Sequence, residues 1–525
     1  MTNTTARFET SRRLAWLLCC VVPFVFGGFA LALGQDANWD LKNYHWYNPY
    51  ALLTGRWQFD LSPASYYNPA IDVPMYLAAQ ALSAKTLTFG LGVVHGLNFI
   101  LLFVLARTVL RSPDEVRRTL AAAVIAFVGL IGGGHLGIVG TTFGDNVISL
   151  FVLTSVVIVA QKPKTLFSPD SRIALAGLVM GVAVGLKLPM GIFAVGFCLA
   201  FLFIGGAVRL RFLLAFMYGV GVVGGLTLSA GYWFWMMARD FGNPLFPYFN
   251  GLFGSPMGLA DSYRDVRFVP KDFFTAVLFP FLFSLDGKRV GEIVFRDFRI
   301  ATAYALWIVT AIMLFARRSA STSVVEPTLS RYLALASLVT LVVWTPLFAV
   351  YRYIIPLEML APVLIVAAVG QWPTTVRTRA IITSVALLLV TASALPGTWT
   401  RQTTWTRQLV EVTVPPFADP THSMVLMVGY EPASYVIPAF PPQIPFLRIQ
   451  GYFNDPDDDT GFNRVVHERV AAHGGDLYLL FATWEQGKAA RALSRYNLST
   501  DFDQCVNLVT NLSEGLKLCA LSRNP

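Results

Sequence analysis

Apolar residues run in long blocks from the start of the chain to about position 396, divided by short polar connectors. At the roughly 20 residues a helix needs to cross a bilayer, the pattern predicts eleven spans: 14–34, 87–106, 119–136, 144–160, 173–187, 189–207, 212–237, 300–316, 332–350, 354–370 and 380–396. Two longer stretches, 35–86 and 238–299, are too polar to span. The second holds "FFTAVLFPFLFSL" (273–285), short and interrupted by Pro280, which predicts an interfacial or re-entrant piece. From 397 the pattern changes. "SMVLMVG" and "GDLYLLFA" read as buried strands, "NRVVHERVAAHG" has helical spacing between them, and "QCVNLVT" and "KLCALS" can pair across "NLSEG". The predicted architecture is an all-α polytopic membrane bundle over 1–396 followed by a small α/β domain over 397–525.

Composition supports the membrane class. The chain is 55% hydrophobic and 14% charged, against about 25% charged for a soluble domain. Its net charge of +9 does not call for a nucleic-acid partner, because the basic residues gather in alternate connectors, Arg107, Arg117, Arg118, Lys162, Lys164, Arg317 and Arg318 among them. The opposite short turns carry only Lys187 and Arg352. That asymmetry predicts a cytoplasmic N-terminus, with 35–86, 238–299 and the tail outside the cytoplasm. The apolar run at 14–34 is longer than the core of a signal peptide and predicts an uncleaved first helix. Cys19, Cys20 and Cys198 fall within spans, whereas for Cys505 and Cys519 a disulfide and two free thiols are both open. There is no internal repeat, P-loop, dinucleotide fingerprint, zinc spacing or Gly-x-Ser-x-Gly elbow.

An ionisable group at mid-bilayer costs about 2.5–3.5 kcal/mol on insertion scales, so charges near the spans invite a functional question. Asp36 and Asp40 lie beyond the first span, Asp145 in "TTFGDN", Lys187 in "GLKLP" and Arg352 in "YRYIIP". All five come to one predicted membrane face. Singly, each has a plain reading: a solvated acid, a helix cap, a cation snorkelling to headgroups. Together, carboxylates facing two cations suit a lipid-phosphate leaving group beside a general base. The segment "WDLKNYHWYNPYALLTGRW" (39–57) carries a partial apolar stripe through Tyr44, Tyr47, Tyr50, Ala51 and Leu53. That stripe predicts an interfacial helix roofing the site.

These residues, in this order, resemble the GT-C membrane glycosyltransferases. The likeness is carried by "DLKNYHWYNPYALLTGRW", "YYNPAIDVPMY", "TTFGDNVISLFVL", "GLKLPMG" and "RYIIP", and it covers most of 1–400. It implies inverting transfer of a sugar, as in mannosyl- and arabinosyltransferases, from a polyprenyl-phosphate-linked donor. The acceptor would be a hydroxyl of a glycan, lipid or protein at the extracytoplasmic face. It casts Asp40 as general base, with Asp36 and Asp145 as the other candidate acids, and Lys187 and Arg352 on the donor phosphate. Tyr44, His45, Tyr67, Asn68 and Tyr353 become substrate contacts. Leu41 stands where the family often has a second acid, and Asn68 where it often has a lysine. No metal ligand set is assigned, although a divalent cation remains open as a cofactor. The resemblance also implies a bacterial cytoplasmic membrane and a role in cell-envelope glycan or glycolipid synthesis. Two rivals stand: a secondary transporter or flippase, for which Glu358 inside a predicted span is the one suitable charge, and an assembly protein whose tail recruits a partner.

Overall fold

The computed structural model describes residues 2–61, 66–161, 169, 171–260, 265–316 and 323–524; the connector residues Lys162, Lys164, Arg317 and Arg318 lie outside these. The chain is mostly helical, with its main sheet in the tail. Among the described residues six helical stretches are long and apolar enough to cross a membrane: Arg7–Leu33, Ala84–Val109, Val208–Phe241, Pro327–Leu347, Tyr351–Val369 and Val376–Ser393. The expected spans at 119–136, 144–160, 173–187, 189–207 and 300–316 are shorter helices. They run Glu115–Leu130, Asp145–Ala160, Ser171–Leu186, Gly191–Ala200 and Arg299–Phe315, with 16, 16, 16, 10 and 17 residues. Length and composition therefore support six of the eleven. The non-spanning piece at 273–285 is a 13-residue helix, Phe273–Leu285, capped by Asp272, which accepts from Thr275 N at 2.9 Å.

The chain divides into two compact units. The first comprises 1–33, 88–229 and 265–399. At its centre is the helix Ile355–Val369, buried on every side, as expected of a helix that is apolar all round. Its neighbours begin at identifiable caps. Asp114 accepts from Val116 N and Arg117 N ahead of Glu115–Leu130, and Glu326 precedes Pro327 at the start of Pro327–Leu347. Small residues let other helices approach closely. A Cβ at Gly177 or Gly181 would lie 2.0 Å from the carbonyl oxygen of Tyr218 or Val222, and one at Gly221 or Gly225 would lie 2.1 or 2.0 Å from that of Ala174 or Leu178. Two Gly-x-x-x-Gly faces thus interlock, the packing that membrane helices use in place of a hydrophobic driving force.

The second unit comprises 34–87, 230–264 and 400–525. Contacts thus group the opening loop and part of 238–299 with the tail, where hydropathy alone assigned them to the membrane module. Its sheet places strand Ser423–Val428 between two parallel neighbours, Phe446–Gln450 and Asp476–Ala482, with Val425 opposite Phe446 and Ser423 opposite Asp476. The helix Gly461–Ala472, capped by Thr460, makes the crossover. Strand Leu516–Ala520 adds antiparallel, Leu516 opposite Ala482, and pairs in turn with Val506–Asn507 as the tail hairpin predicts. Cys505 and Cys519 form a disulfide.

The opening loop is built into this unit. Gln35 and Asp36 pair with Gln402 and Arg401, and Leu61 pairs with Leu447. Arg56 bonds Asp60 through Nε at 2.7 Å and donates to the carbonyls of Pro442 and Ile444, while Asp60 accepts from Phe446 N and Tyr47. Burial pushes the Asp60 carboxyl above its ordinary range against the pull of Arg56. Residues 41–54 form a π-helical turn, Leu41–His45, then the helix Tyr47–Thr54 ended by Gly55 at φ +71°. Tyr47, Asn48, Pro49 and Ala51 are buried. The turn Leu41–His45 and the helix Tyr47–Thr54 both pack on the segment Ser434–Ala439 of the same unit, while Leu53 of the expected stripe stays exposed.

Candidate active site

Four of the predicted site residues, Asp145, Lys187, Arg352 and Tyr353, converge in the first unit. Asp145 opens the helix Asp145–Ala160 directly after Gly144, whose φ of +77° is the left-handed conformation that glycine adopts readily. Its carboxylate is buried, at 1% exposure, and sits where a helix N-terminus favours negative charge. Lys187 caps the turn Leu188–Met190; its Nζ lies 2.5 Å from Asp145 Oδ1 and 3.1 Å from the Phe143 carbonyl. Arg352, in the turn Tyr351–Ile354, brings Nη1 to 3.6 Å from Asp145 Oδ2. That distance is an ion pair and too long for a hydrogen bond. The Arg352 guanidinium lies over the Phe143 ring at 4.2 Å, and Lys187 Nζ lies 5.8 Å from the centroid of Tyr353. Two cations, each partly exposed, thus share one buried carboxylate. An anion with several oxygens, such as a phosphate, can bridge two such cations.

The turn bearing Arg352 is fixed from behind. Glu358 is buried and accepts from Gly134 N at 2.9 Å, His135 N at 2.9 Å and the Tyr351 hydroxyl at 2.7 Å. Asp297 accepts from Gly133 N at 2.8 Å and is ion-paired with buried Arg299, which donates onward to the carbonyls of Val128 and Ile131. The run "GGGH" (132–135) permits this: a Cβ at Gly132 would fall 1.9 Å from Glu358 Oε1, and one at Gly134 would fall 2.7 Å from the Tyr351 ring. Glu358, the residue on which a transporter would rely, is committed to holding backbone amides and a tyrosine.

The second unit holds the other predicted residues. Asp40 is buried at the head of the turn Leu41–His45; such π-type turns recur at functional sites. His45 Nδ1 lies 2.7 Å from Asp72 Oδ1, both side chains buried. Tyr44 packs on His45 and on Tyr67, with centroids 4.4 and 5.0 Å away. Asp36 is enclosed, accepting from Asn38 N at 3.1 Å and Asn38 Nδ2 at 2.8 Å beside Arg401. Burial lowers the Arg401 guanidinium from its ordinary value, with Asp36 pulling the other way. Asn68 caps the turn Pro69–Ile71, accepting from Ala70 N at 3.1 Å.

No family model matches the chain, and no curated protein does. Among solved structures it is similar to the apo oligosaccharyltransferase of Archaeoglobus fulgidus, with a TM-score of 0.45 and 12% identity over 91% of this chain and 71% of that one. A likeness that faint lends no weight to a function, so the chemistry rests on the residues. Among the described residues no group of three or more His, Cys, Asp or Glu side chains is placed to hold a metal ion.

The structure therefore brings Asp145, Lys187, Arg352 and Tyr353 together in one unit, and Asp36, Asp40, Tyr44, His45, Tyr67 and Asn68 onto one loop in the other. Sequence reasoning missed Phe143, Asp72 and the Glu358 network. Phe143 stands two residues before Asp145 and could have been found. Asp72 is 27 positions from His45, and nothing local links them.

Proposed function

We propose that the chain is an inverting membrane glycosyltransferase that takes its sugar from a polyprenyl-phosphate donor. What supports this reading is the pair of cations, Lys187 and Arg352, brought to one buried carboxylate, Asp145. In the proposed reaction the donor phosphate exchanges into the ion pairs that Asp145 makes with them. The acceptor hydroxyl attacks the anomeric carbon and gives up its proton to a carboxylate, assigned to Asp40. The bond from the anomeric carbon to the phosphate oxygen breaks, its electron pair leaving on the phosphate. Lys187 and Arg352 stabilise that charge, the kind of electrostatic help that usually dominates catalysis. General-base assistance of the type assigned to Asp40 contributes about 10²–10⁴-fold. Asp145 keeps the two cations at a fixed spacing between turnovers.

The reading includes a bacterial cytoplasmic membrane, the tail outside the cytoplasm, and a role in cell-envelope glycan or glycolipid synthesis. Its test is chemical: purified protein in nanodiscs is offered radiolabelled polyprenyl-phosphate sugars, and the anomeric configuration of the product is read by NMR. Inverted product supports the reading, and retained configuration or the absence of transfer from every donor rejects it.

A further inference from the structure

The proposed reaction leaves the acceptor undefined, and the second unit holds a feature that bears on it. Trp39, the residue before Asp40, is 38% exposed, and its ring meets Tyr452 edge to face at 5.5 Å. Tyr452, 44% exposed, contacts Tyr430, 38% exposed, at 4.8 Å. The rings continue beyond Tyr452: its neighbour Phe453 packs on Tyr248 at 6.0 Å, and Tyr248 stacks on Tyr67 at 5.5 Å with their hydroxyls 2.6 Å apart. Half-exposed aromatic rings in contact with one another therefore form a track beginning beside Asp40.

The track has a fixed base. Tyr430 and Tyr452 follow the carboxyl ends of two parallel neighbours, Ser423–Val428 and Phe446–Gln450, the end of a parallel sheet where ligands gather. Glu485, just past Asp476–Ala482, accepts from Tyr430 N at 2.9 Å and Glu431 N at 3.0 Å, and Lys488 lies over the Tyr430 ring at 4.5 Å. The polar rim continues with Lys42, 3.2 Å from Glu431.

We infer that this surface, the rings of Trp39, Tyr430 and Tyr452, binds the acceptor, and that the acceptor is an oligosaccharide. The inference rests on the glycosyltransferase reading. A pyranose presents a face of C–H groups to the electron-rich face of an aromatic ring and hydroxyls to a polar rim, which is the mixture found here. Peptide capture by strand addition would need an open strand edge, but that of Phe446–Gln450 is taken: Leu61 N donates to Phe446 O and Arg448 N to Leu61 O, both at 2.9 Å. A bilayer of anionic lipid is disfavoured by the segment after Tyr452, "NDPDDDT" (454–460), with four aspartates.

The test is saturation-transfer NMR on full-length protein in nanodiscs with maltohexaose, cellohexaose, mannohexaose and arabinohexaose, without donor. At least one should receive saturation on its ring C–H protons. Its Kd should rise at least tenfold in the double variant Tyr430→Ala, Tyr452→Ala and stay within twofold in Tyr430→Phe, Tyr452→Phe, which keeps the rings and controls for folding. No binding by any hexasaccharide, or equal binding by the alanine variant, overturns the inference, as does a hexapeptide library that binds at the same tyrosines while the sugars do not. Binding at the tyrosines without transfer from any donor would leave the inference standing and remove the proposed function. Transfer to a short acceptor with equal efficiency for hexasaccharides in both variants would do the reverse.

Discussion

The Tyr351 hydroxyl donates to Glu358 Oε2 at 2.7 Å, so the residue immediately before Arg352 is tied to a carboxylate on the buried helix Ile355–Val369. The same carboxylate holds Gly134 N and His135 N. One side chain thereby fixes the turn that presents Arg352, one of the two proposed phosphate-binding cations, and the glycine turn beside it.

Replacing Glu358 with Ala would strand three buried donors, each costing about 1–3 kcal/mol when unsatisfied. Glu358→Ala should therefore lower the melting temperature in detergent sharply or abolish folded yield. Glu358→Gln, which keeps a carbonyl acceptor, should melt between that variant and the wild type. A fluorescence melt checks both, and a Glu358→Ala protein as stable as the wild type would refute the structural role.

Lys187→Ala and Arg352→Ala should each weaken binding of a polyprenyl-phosphate donor about 10–100-fold, the loss of a hydrogen bond to a charged group of about 1.5–3 kcal/mol. Binding of the free polyprenol, which lacks the phosphate, should not change. Asp145→Asn should also weaken donor binding, since the cations lose the group that fixes their spacing, and it should cost stability because two partly buried cations lose their counter-charge. Equilibrium binding of labelled donor in nanodiscs separates these outcomes.

Much of this was legible in the sequence, for physical reasons. Hydropathy reports burial residue by residue, so the helical blocks, the tail strands and the hairpin across "NLSEG" could be read directly, as could the convergence of Asp145, Lys187 and Arg352. The packing of 41–54 could not. A helix whose apolar stripe fits a bilayer fits a protein surface equally well, and the contacts of Leu41–His45 and Tyr47–Thr54 with Ser434–Ala439 join segments far apart in the sequence. Among the described residues length and composition support six of the eleven expected spans, because hydropathy averages over residues that lie outside the helices, as at 204–207 beyond Leu188–Phe203. The paired Gly-x-x-x-Gly runs at 177–181 and 221–225 were visible, but their mutual contact was not.

Those glycines supply another test. Gly221→Val places a side chain against the Ala174 carbonyl, where a Cβ alone would already lie 2.1 Å away. Overpacking of this sort costs about 1–3 kcal/mol or more. The variant should melt well below the wild type, while Gly224→Val, at a position with open space around it, should not.

The tail carries a pH dependence with a definite sign. Hydrogen bonds from Thr421 and His422 hold the Asp419 carboxyl at about 2, below the usual value of about 3.9. A carboxyl depressed in the folded state stabilises above its unfolded pKa and loses that contribution as pH falls through the folded one. The difference in melting temperature between wild type and Asp419→Asn should therefore be present at pH 5 and shrink as pH falls from there towards 2. A difference that grows on acidification would contradict the assignment.

The most direct test of the central claim is sugar transfer from radiolabelled polyprenyl-phosphate donors by purified protein in nanodiscs, wild type beside Asp40→Asn. Turnover by the wild type is expected, with a loss of about a hundredfold or more in the variant and donor binding unchanged. Equal turnover by Asp40→Asn would remove Asp40 as the base, and no transfer by the wild type from any donor would contradict the account as a whole.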